Sequence, residues 1–411
     1  MTTRLTRWLP AGYPRQMWIL FWGSLISIMG QSLVWPFLTI HIRQQLDVPL
    51  TQITLLFTLQ SLATMVATAV AGPAVDRFGR KWVMVLGPVL SGITQIAMAR
   101  ADSYGMWAVL LMLYASSGVL FMLGSRSMIA DMIPSEQRTE AYALLRMAAN
   151  TGIAVGPAVG GFVISVSYAI SFYVAATVQI LLSIATLVLI RETLTPELKA
   201  ENAASTGGQS QGYGPLFRDT TFMSFWGVYL LVEIAASLVF TLLSVYVKEQ
   251  YQIPESQFGF IIGTNATMVV LFQYAITRIT KRYRPLSVMA ISAVFYAAGM
   301  AIFAAGSSFW VFWFGMVVMT TGELLLAPTS TALVADLAPP DMRGRYMGVY
   351  GLSYRVGGGV GPVIGGWLND HIYPAATWWF GMTSCLFAAG GFLWLRRVRS
   401  AQYTPAHSPL K

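Results

Sequence analysis

Runs of about twenty mostly apolar residues recur along the chain, each long enough to cross a hydrocarbon core roughly 30 Å thick. Twelve are readable: 17–40, 52–72, 82–100, 105–130, 141–164, 168–190, 222–247, 257–277, 286–305, 308–335, 345–368 and 374–395. All are expected to be helices, because lipid offers no partner to an open sheet edge. Composition agrees. Only 10% of the 411 residues are charged and 55% are hydrophobic, against roughly 25% charged in an average soluble domain. So few charges cannot coat a soluble globule of this size, and a disordered chain, a coiled coil and a disulfide-stapled scaffold are excluded as well. Cys385 is the one cysteine, and His41, His371 and His407 lie too far apart in sequence to suggest a metal site. No metal and no cofactor are expected. The first apolar run is too long for a cleavable signal peptide and leads directly into further spans.

The placement of basic residues sets the topology. With twelve spans, both termini and five loops share one side, and twenty of the 26 Lys and Arg fall there. Three (Arg43, Arg100, Lys248) fall opposite, and three (Arg126, Arg146, Arg355) fall inside spans. Positive charge collects on the cytoplasmic side of membrane proteins, so both termini are expected in the cytoplasm. The net charge of +9 follows from this bias. No basic aromatic face of the kind that binds nucleic acid is present.

One polar stretch, 191–221, is rich in Gly, Ser, Gln and Pro and reads as a linker. It divides the chain into an N-terminal bundle (1–190) and a C-terminal bundle (222–411) of six spans each. An internal repeat at an offset of 205 supports duplication. Ala130, Asp131, Pro134 and Arg138 match Ala335, Asp336, Pro339 and Arg343. Gly152, Val155, Gly156, Pro157, Gly160 and Gly161 match Gly357, Val360, Gly361, Pro362, Gly365 and Gly366. Similar glycine content cannot explain an Asp, a Pro and an Arg at fixed spacing. Parallel repeats of this kind are one transporter architecture, with substrate held near mid-membrane.

Between the second and third spans runs Gly72-Pro-Ala-Val-Asp76-Arg77-Phe-Gly79-Arg80-Lys81. The glycines permit close helix approach and a tight turn, and the acid and bases stand together at the membrane surface. A plain positive anchor would need the bases but neither the Asp nor the glycines. The run resembles the loop motif GxxxDRxGRK of the major facilitator superfamily at every specified position. In the fifth span, Gly152, Gly156, Gly160 and Gly161 flank Pro157. Such glycines line a close-packing face, and the proline favours a kink. This run resembles the fifth-helix motif of drug:proton antiporters of that superfamily. The resemblance covers the whole chain and implies an all-α fold of twelve transmembrane helices in two pseudo-symmetric six-helix bundles. It also implies a gating role for the 72–81 loop, with Asp131 as the expected partner of Asp76 and Arg80. Two departures stand out. The family's fourth helix often carries an arginine four residues before a glycine, and here that position is Tyr114. The second-half counterpart of the loop, Thr277 to Pro285, keeps only basic residues.

Ionisable residues within a membrane are functional candidates because of their energetic cost. Glu233, Glu323 and Arg355 fall near the middle of their spans. Arg126 and Arg146 lie nearer the ends and can snorkel to the interface. At about 100° per residue, Asn150 and its repeat mate Arg355 point away from the glycine face, toward a central cavity. Arg355 could instead hold helices together by pairing with Glu323 or Glu233. A carboxyl between the opposing influences of burial and a nearby arginine can take up and release a proton. Glu323 is the expected main site, Arg355 its tuning partner, and Glu233 the alternate.

The chain is therefore expected to be a proton-coupled secondary transporter of the inner membrane that exports amphipathic drugs or other small molecules. It is expected to act as a monomer, with protons and membrane lipid as its other partners. Rival readings are a lipid or lysolipid carrier, a sugar or metabolite symporter, and, from another class, a channel or receptor. No HExxH or Walker sequence suggests an enzyme or a primary pump.

Overall fold

The computed structural model describes residues 12–195, 213–339 and 342–399. Both chain ends and residues 196–212 of the expected linker lie outside the described residues. Among the described residues there is no strand. Helix α1 (Arg15–Val34) passes through a 3-10 turn at Trp35–Phe37 into α2 (Leu38–Leu46). The first half continues with α3 (Leu50–Phe78), α4 (Arg80–Met98), α5 (Tyr104–Met132), α6 (Ser135–Val166) and α7 (Tyr168–Leu189). A short α8 (Gly214–Arg218) leads into α9 (Thr220–Tyr251), α10 (Glu255–Thr280), α11 (Pro285–Ala305), α12 (Phe309–Leu337), α13 (Arg343–His371) and α14 (Ala376–Arg399). Local chemistry sets several of these ends. Pro36 sits in the turn after α1, and Asp219 accepts a hydrogen bond from the Phe222 amide to cap α9. Arg138 donates to the Ile133 and Ala130 carbonyls and so satisfies the last turn of α5.

Eleven of these segments, counting α1 and α2 as one, are long and apolar enough to cross a membrane. The expected eleventh span, α13, falls short by composition. Its run of glycines, with Arg355, lowers its apolar content. It is nevertheless a continuous helix of 29 residues, like the others.

The described chain divides into two compact units that differ from the two sequence halves. One holds most of the first half, without residues 48–58 but with residues 254–270. The other holds residues 48–58 and most of the second half. In the first unit, α6 lies on α1 along its glycines. A Cβ on Gly152 would stand 2.8 Å from the Leu25 carbonyl oxygen, and one on Gly156 would stand 2.8 Å from that of Met29. Gly160 meets the Leu33 carbonyl, and Gly161 lies against Glu255 at the start of α10. Gly259 of α10 in turn abuts the carbonyl of Pro157.

In the second unit the same pattern joins α13 to α9. Gly357 lies against the backbone of Glu233, and Gly361 lies against Ile234 and Ser237. The Ser237 hydroxyl donates to the Gly357 carbonyl at 2.9 Å. At the far end of α13, Gly366 touches Leu50, and Asp370 caps α3. Its carboxylate accepts from the Leu50 amide (3.2 Å), the Thr51 amide (2.8 Å) and the Thr51 hydroxyl (2.7 Å). This clasp is why the first turns of α3 belong to the second unit.

Burial opposes ionisation of Asp370, but the hydrogen bonds from Thr51, Asn369 and Leu50 outweigh it and hold the carboxyl below its ordinary value. A depressed carboxylate pKa stabilises the clasp above the ordinary aspartate value, about 3.9. The contribution is lost as pH falls through the lower value held in the fold. Asp370→Asn is therefore expected to raise amide exchange at Leu50 and Thr51 about tenfold at neutral pH, in line with losing about 1.4 kcal/mol of charge-assisted hydrogen bonding. Wild-type exchange should approach that of the variant only in strong acid. Gly156→Leu is expected to lower stability by about 3 kcal/mol or more, because a side chain there meets backbone rather than a movable side chain. Thermal unfolding in detergent measures it, and an unchanged midpoint would contradict the close approach.

Candidate functional site

Two polar constellations stand out, one in each unit. The first surrounds the turn between α3 and α4. The sequence suggests a loop over 72–81, but α3 runs on to Phe78 and only Gly79 breaks the helix. Its φ of 98° is open to glycine and strained for other residues. Gly72 departs from expectation. Among the described residues a Cβ there would meet nothing within 4 Å, so it makes no close helix contact with them.

Arg80, the first residue of α4, is almost wholly buried. Its Nε donates to Asp131 Oδ2 at 2.9 Å, its Nη1 donates to the Val75 carbonyl at 3.3 Å, and it also pairs with Asp76 at 3.3 Å. Asp76, Arg80 and Asp131, grouped by sequence, are thus one network. Arg77 and Lys81 instead turn outward over the rings of Phe78 and Trp82.

Sequence reasoning missed two members of this network, because they open the stretch read wholly as linker. The Glu192 carboxylate accepts from the Arg80 amide at 3.0 Å and the Lys81 amide at 3.1 Å, at the positive end of α4. Thr193 donates its hydroxyl to Asp131 at 2.7 Å. A Cβ on Gly79 would collide with the Glu192 carboxylate. The turn therefore needs glycine twice over, for its φ and for its acid.

The second constellation lies mid-span in the second unit. Gly357 brings α13 onto α9 at Glu233. The Tyr229 hydroxyl, one turn away on α9, lies close enough to act on the Glu233 carboxyl. Tyr350 of α13 donates to Tyr229 at 3.2 Å and shares a 2.7 Å hydrogen bond with Ser330 of α12. Glu323, also on α12, is near enough for its charge to act on Glu233.

Packing of α12 on α11 positions Glu323. Gly322 abuts the Ser292 carbonyl, and the Ser292 hydroxyl donates back to the Gly322 carbonyl at 2.7 Å. Arg355 forms no ion pair among the described residues, contrary to the helix-bridging alternative. Its guanidinium lies 5.8 Å from the centre of the Tyr354 ring, and Tyr354 feels the charges of Arg355, Glu233 and Glu323 together. Tyr350 and Ser330 carry no charge and belong to no motif of the sequence, so only the 3D arrangement singles them out.

The remaining sequence candidates lie elsewhere. Asn150 is half-buried in α6, and Arg126 and Arg146 are exposed on α5 and α6. The repeat offset places Ile28 where Glu233 stands, so the first unit lacks this acid. Among the described residues, no group of His, Cys, Asp and Glu could hold a metal ion.

The family model for the Major Facilitator Superfamily matches residues 20–248 and 225–410. A Na(+), Li(+), K(+)/H(+) antiporter of Planococcus maritimus is 27% identical over 388 residues, covering 88% of this chain and 89% of the relative. Multidrug resistance protein 1 of Bacillus subtilis is 25% identical, covering 86% of this chain and 89% of the relative. Among solved structures, the nucleoside transporter NupG superposes with a TM-score of 0.78 at 16% identity. That match covers 92% of this chain and 99% of NupG, and it shows a shared fold.

The Arg80 network gives a graded prediction. Asp131 is largely buried and Asp76 is mostly exposed. Asp131→Asn leaves a buried guanidinium without its main partner and should cost about 3 kcal/mol. Asp76→Asn should cost less than about 1 kcal/mol. Unfolding midpoints of the two variants in detergent check the order, and equal losses would contradict it.

Proposed function

Because the chain belongs to the major facilitator superfamily, we propose that it is a secondary active transporter exchanging protons for amphipathic small molecules by alternating access. Its termini face the cytoplasm and its direction is export. The observation that carries this reading is the nearness of two mid-span carboxyl groups, Glu233 and Glu323, in a setting of tyrosine hydroxyls. Two like charges so placed repel each other, and a proton or another cation entering the site relieves that repulsion. Arg355, resting on Tyr354 and free of an ion pair among the described residues, is available to stabilise the carboxylate that the proton leaves. Glu323 is the main coupling site in this reading and Glu233 the alternate. The network at Arg80 serves as the gate on the cytoplasmic side. The name of the Bacillus subtilis relative favours drugs as substrates.

A second reading is exchange of monovalent cations for protons, favoured by the name of the Planococcus relative. The same carboxyl pair would then hold either ion in turn.

Glu323→Gln resembles a permanently protonated site. It is expected to abolish proton-driven accumulation in proteoliposomes while energy-independent substrate exchange continues. Uphill transport at the wild-type rate would move the site elsewhere, with Glu233→Gln as the next variant. Drug and alkali-cation substrates tested side by side separate the two readings.

A further inference from the structure

The turn between α10 and α11 is the repeat counterpart of the turn at Gly79, and it keeps basic residues without the acids that balance them there. At the offset of 205, Lys281 stands where Asp76 does, Arg284 where Gly79 does, and Pro285 where Arg80 does. Arg397 stands where Glu192 does. The first turn supplies its own anions: Asp76 and Asp131 answer Arg80, and Glu192 answers the start of α4. The second has lost those acids except Asp336, which forms no ion pair among the described residues. Arg278, Lys281, Arg282 and Arg284 are all exposed, and none has an acidic partner among the described residues. No side chain of the capping residue, Arg284, covers the start of α11.

The surroundings of this cluster indicate what balances it. It sits at the ends of two apolar spans, where chain passes from hydrocarbon to headgroup. The exposed side chains of Tyr274, Ile279 and Tyr283 flank the cations. Tyrosine favours the interface, with its ring on the apolar side and its hydroxyl on the wet side. A soluble anion would use the cations alone. A phospholipid uses both, with phosphate against the guanidinium and ammonium groups and acyl chains along the exposed apolar side chains. Basic clusters directly beside a transmembrane helix attract anionic lipid at roughly a fivefold gain in affinity per charge.

We propose that Arg278, Lys281, Arg282 and Arg284 form a docking site for the headgroup of an anionic phospholipid. The lipid phosphate supplies from outside the negative charge that Asp76, Asp131 and Glu192 supply within the chain at the equivalent turn.

The test uses the full-length protein, purified from membranes and exchanged into vesicles of phosphatidylcholine with a minor share of phosphatidylglycerol. Lipid retained after re-extraction is quantified by mass spectrometry. The wild type should retain phosphatidylglycerol enriched severalfold over the vesicle ratio, and rising salt should reduce that enrichment. The variant with Arg278, Lys281, Arg282 and Arg284 all changed to Gln should lose it. A control removes four basic residues elsewhere (Arg15, Arg191, Arg218 and Arg396, each to Gln) and should keep it. Equal enrichment in the wild type and the loop variant overturns the proposal, as does equal loss in loop and control variants. A third arm adds soluble glycerol phosphate. Displacement of the lipid by that headgroup alone, at concentrations matching the phosphatidylglycerol, would identify a soluble-anion site and overturn the assignment to lipid. A loop variant that fails to fold is replaced by the four single substitutions, each expected to weaken retention by roughly fivefold or less.

Discussion

Gly357 lets the backbone of α13 reach the backbone of α9 at Glu233, and the mid-span polar site depends on that approach. Glu233 and Tyr229 lie on α9 and Tyr350, Tyr354 and Arg355 on α13, so the separation of the two helices decides whether their side chains meet. Any side chain at 357 would push the helices apart and stretch hydrogen bonds that act over about 3 Å. The Ser237 bond to the Gly357 carbonyl secures the same crossing. A polar group in lipid is stable only when answered nearby, and this crossing provides the answer.

The two units solve the same packing problem with different chemistry. Glycines of α6 seat that helix on α1, and their repeat mates seat α13 on α9. In the first unit the crossing encloses Ile28, and in the second it encloses Glu233. One duplicated scaffold thus carries an inert contact in one copy and an ionisable one in the other. The turns diverge in the same manner, one neutralised within the chain and one left cationic.

Much of this was legible in the sequence. Long apolar runs give the helices, since lipid leaves the backbone few alternatives. Repeated glycines give the crossings, and the pattern Asp76, Arg80, Asp131 gives the first network. Other features were hidden for physical reasons. Gly72 looks like a contact glycine, but a motif position does not reveal whether a neighbour is present. Glu192 and Thr193 resemble the polar stretch that follows them, and only the nearby start of α4 gives them partners. The chain through Ser330, Tyr350 and Tyr229 joins the neighbouring helices α12 and α13 to the distant α9, so no local pattern announces it. The clasp of Asp370 on α3 likewise joins residues more than three hundred positions apart.

The connection between α3 and α4 is a single residue, Gly79, with its amide bonded back to Val75 and its open side filled by Glu192. A joint that short has no slack. Hinges work where several backbone torsions share a rotation, and here one residue is left to rotate, pinned on both sides. A push along α3 is therefore delivered to α4 instead of being absorbed between them. The two helices behave as the arms of one stiff lever, with the carboxylate of Glu192 as the pin that locks its elbow.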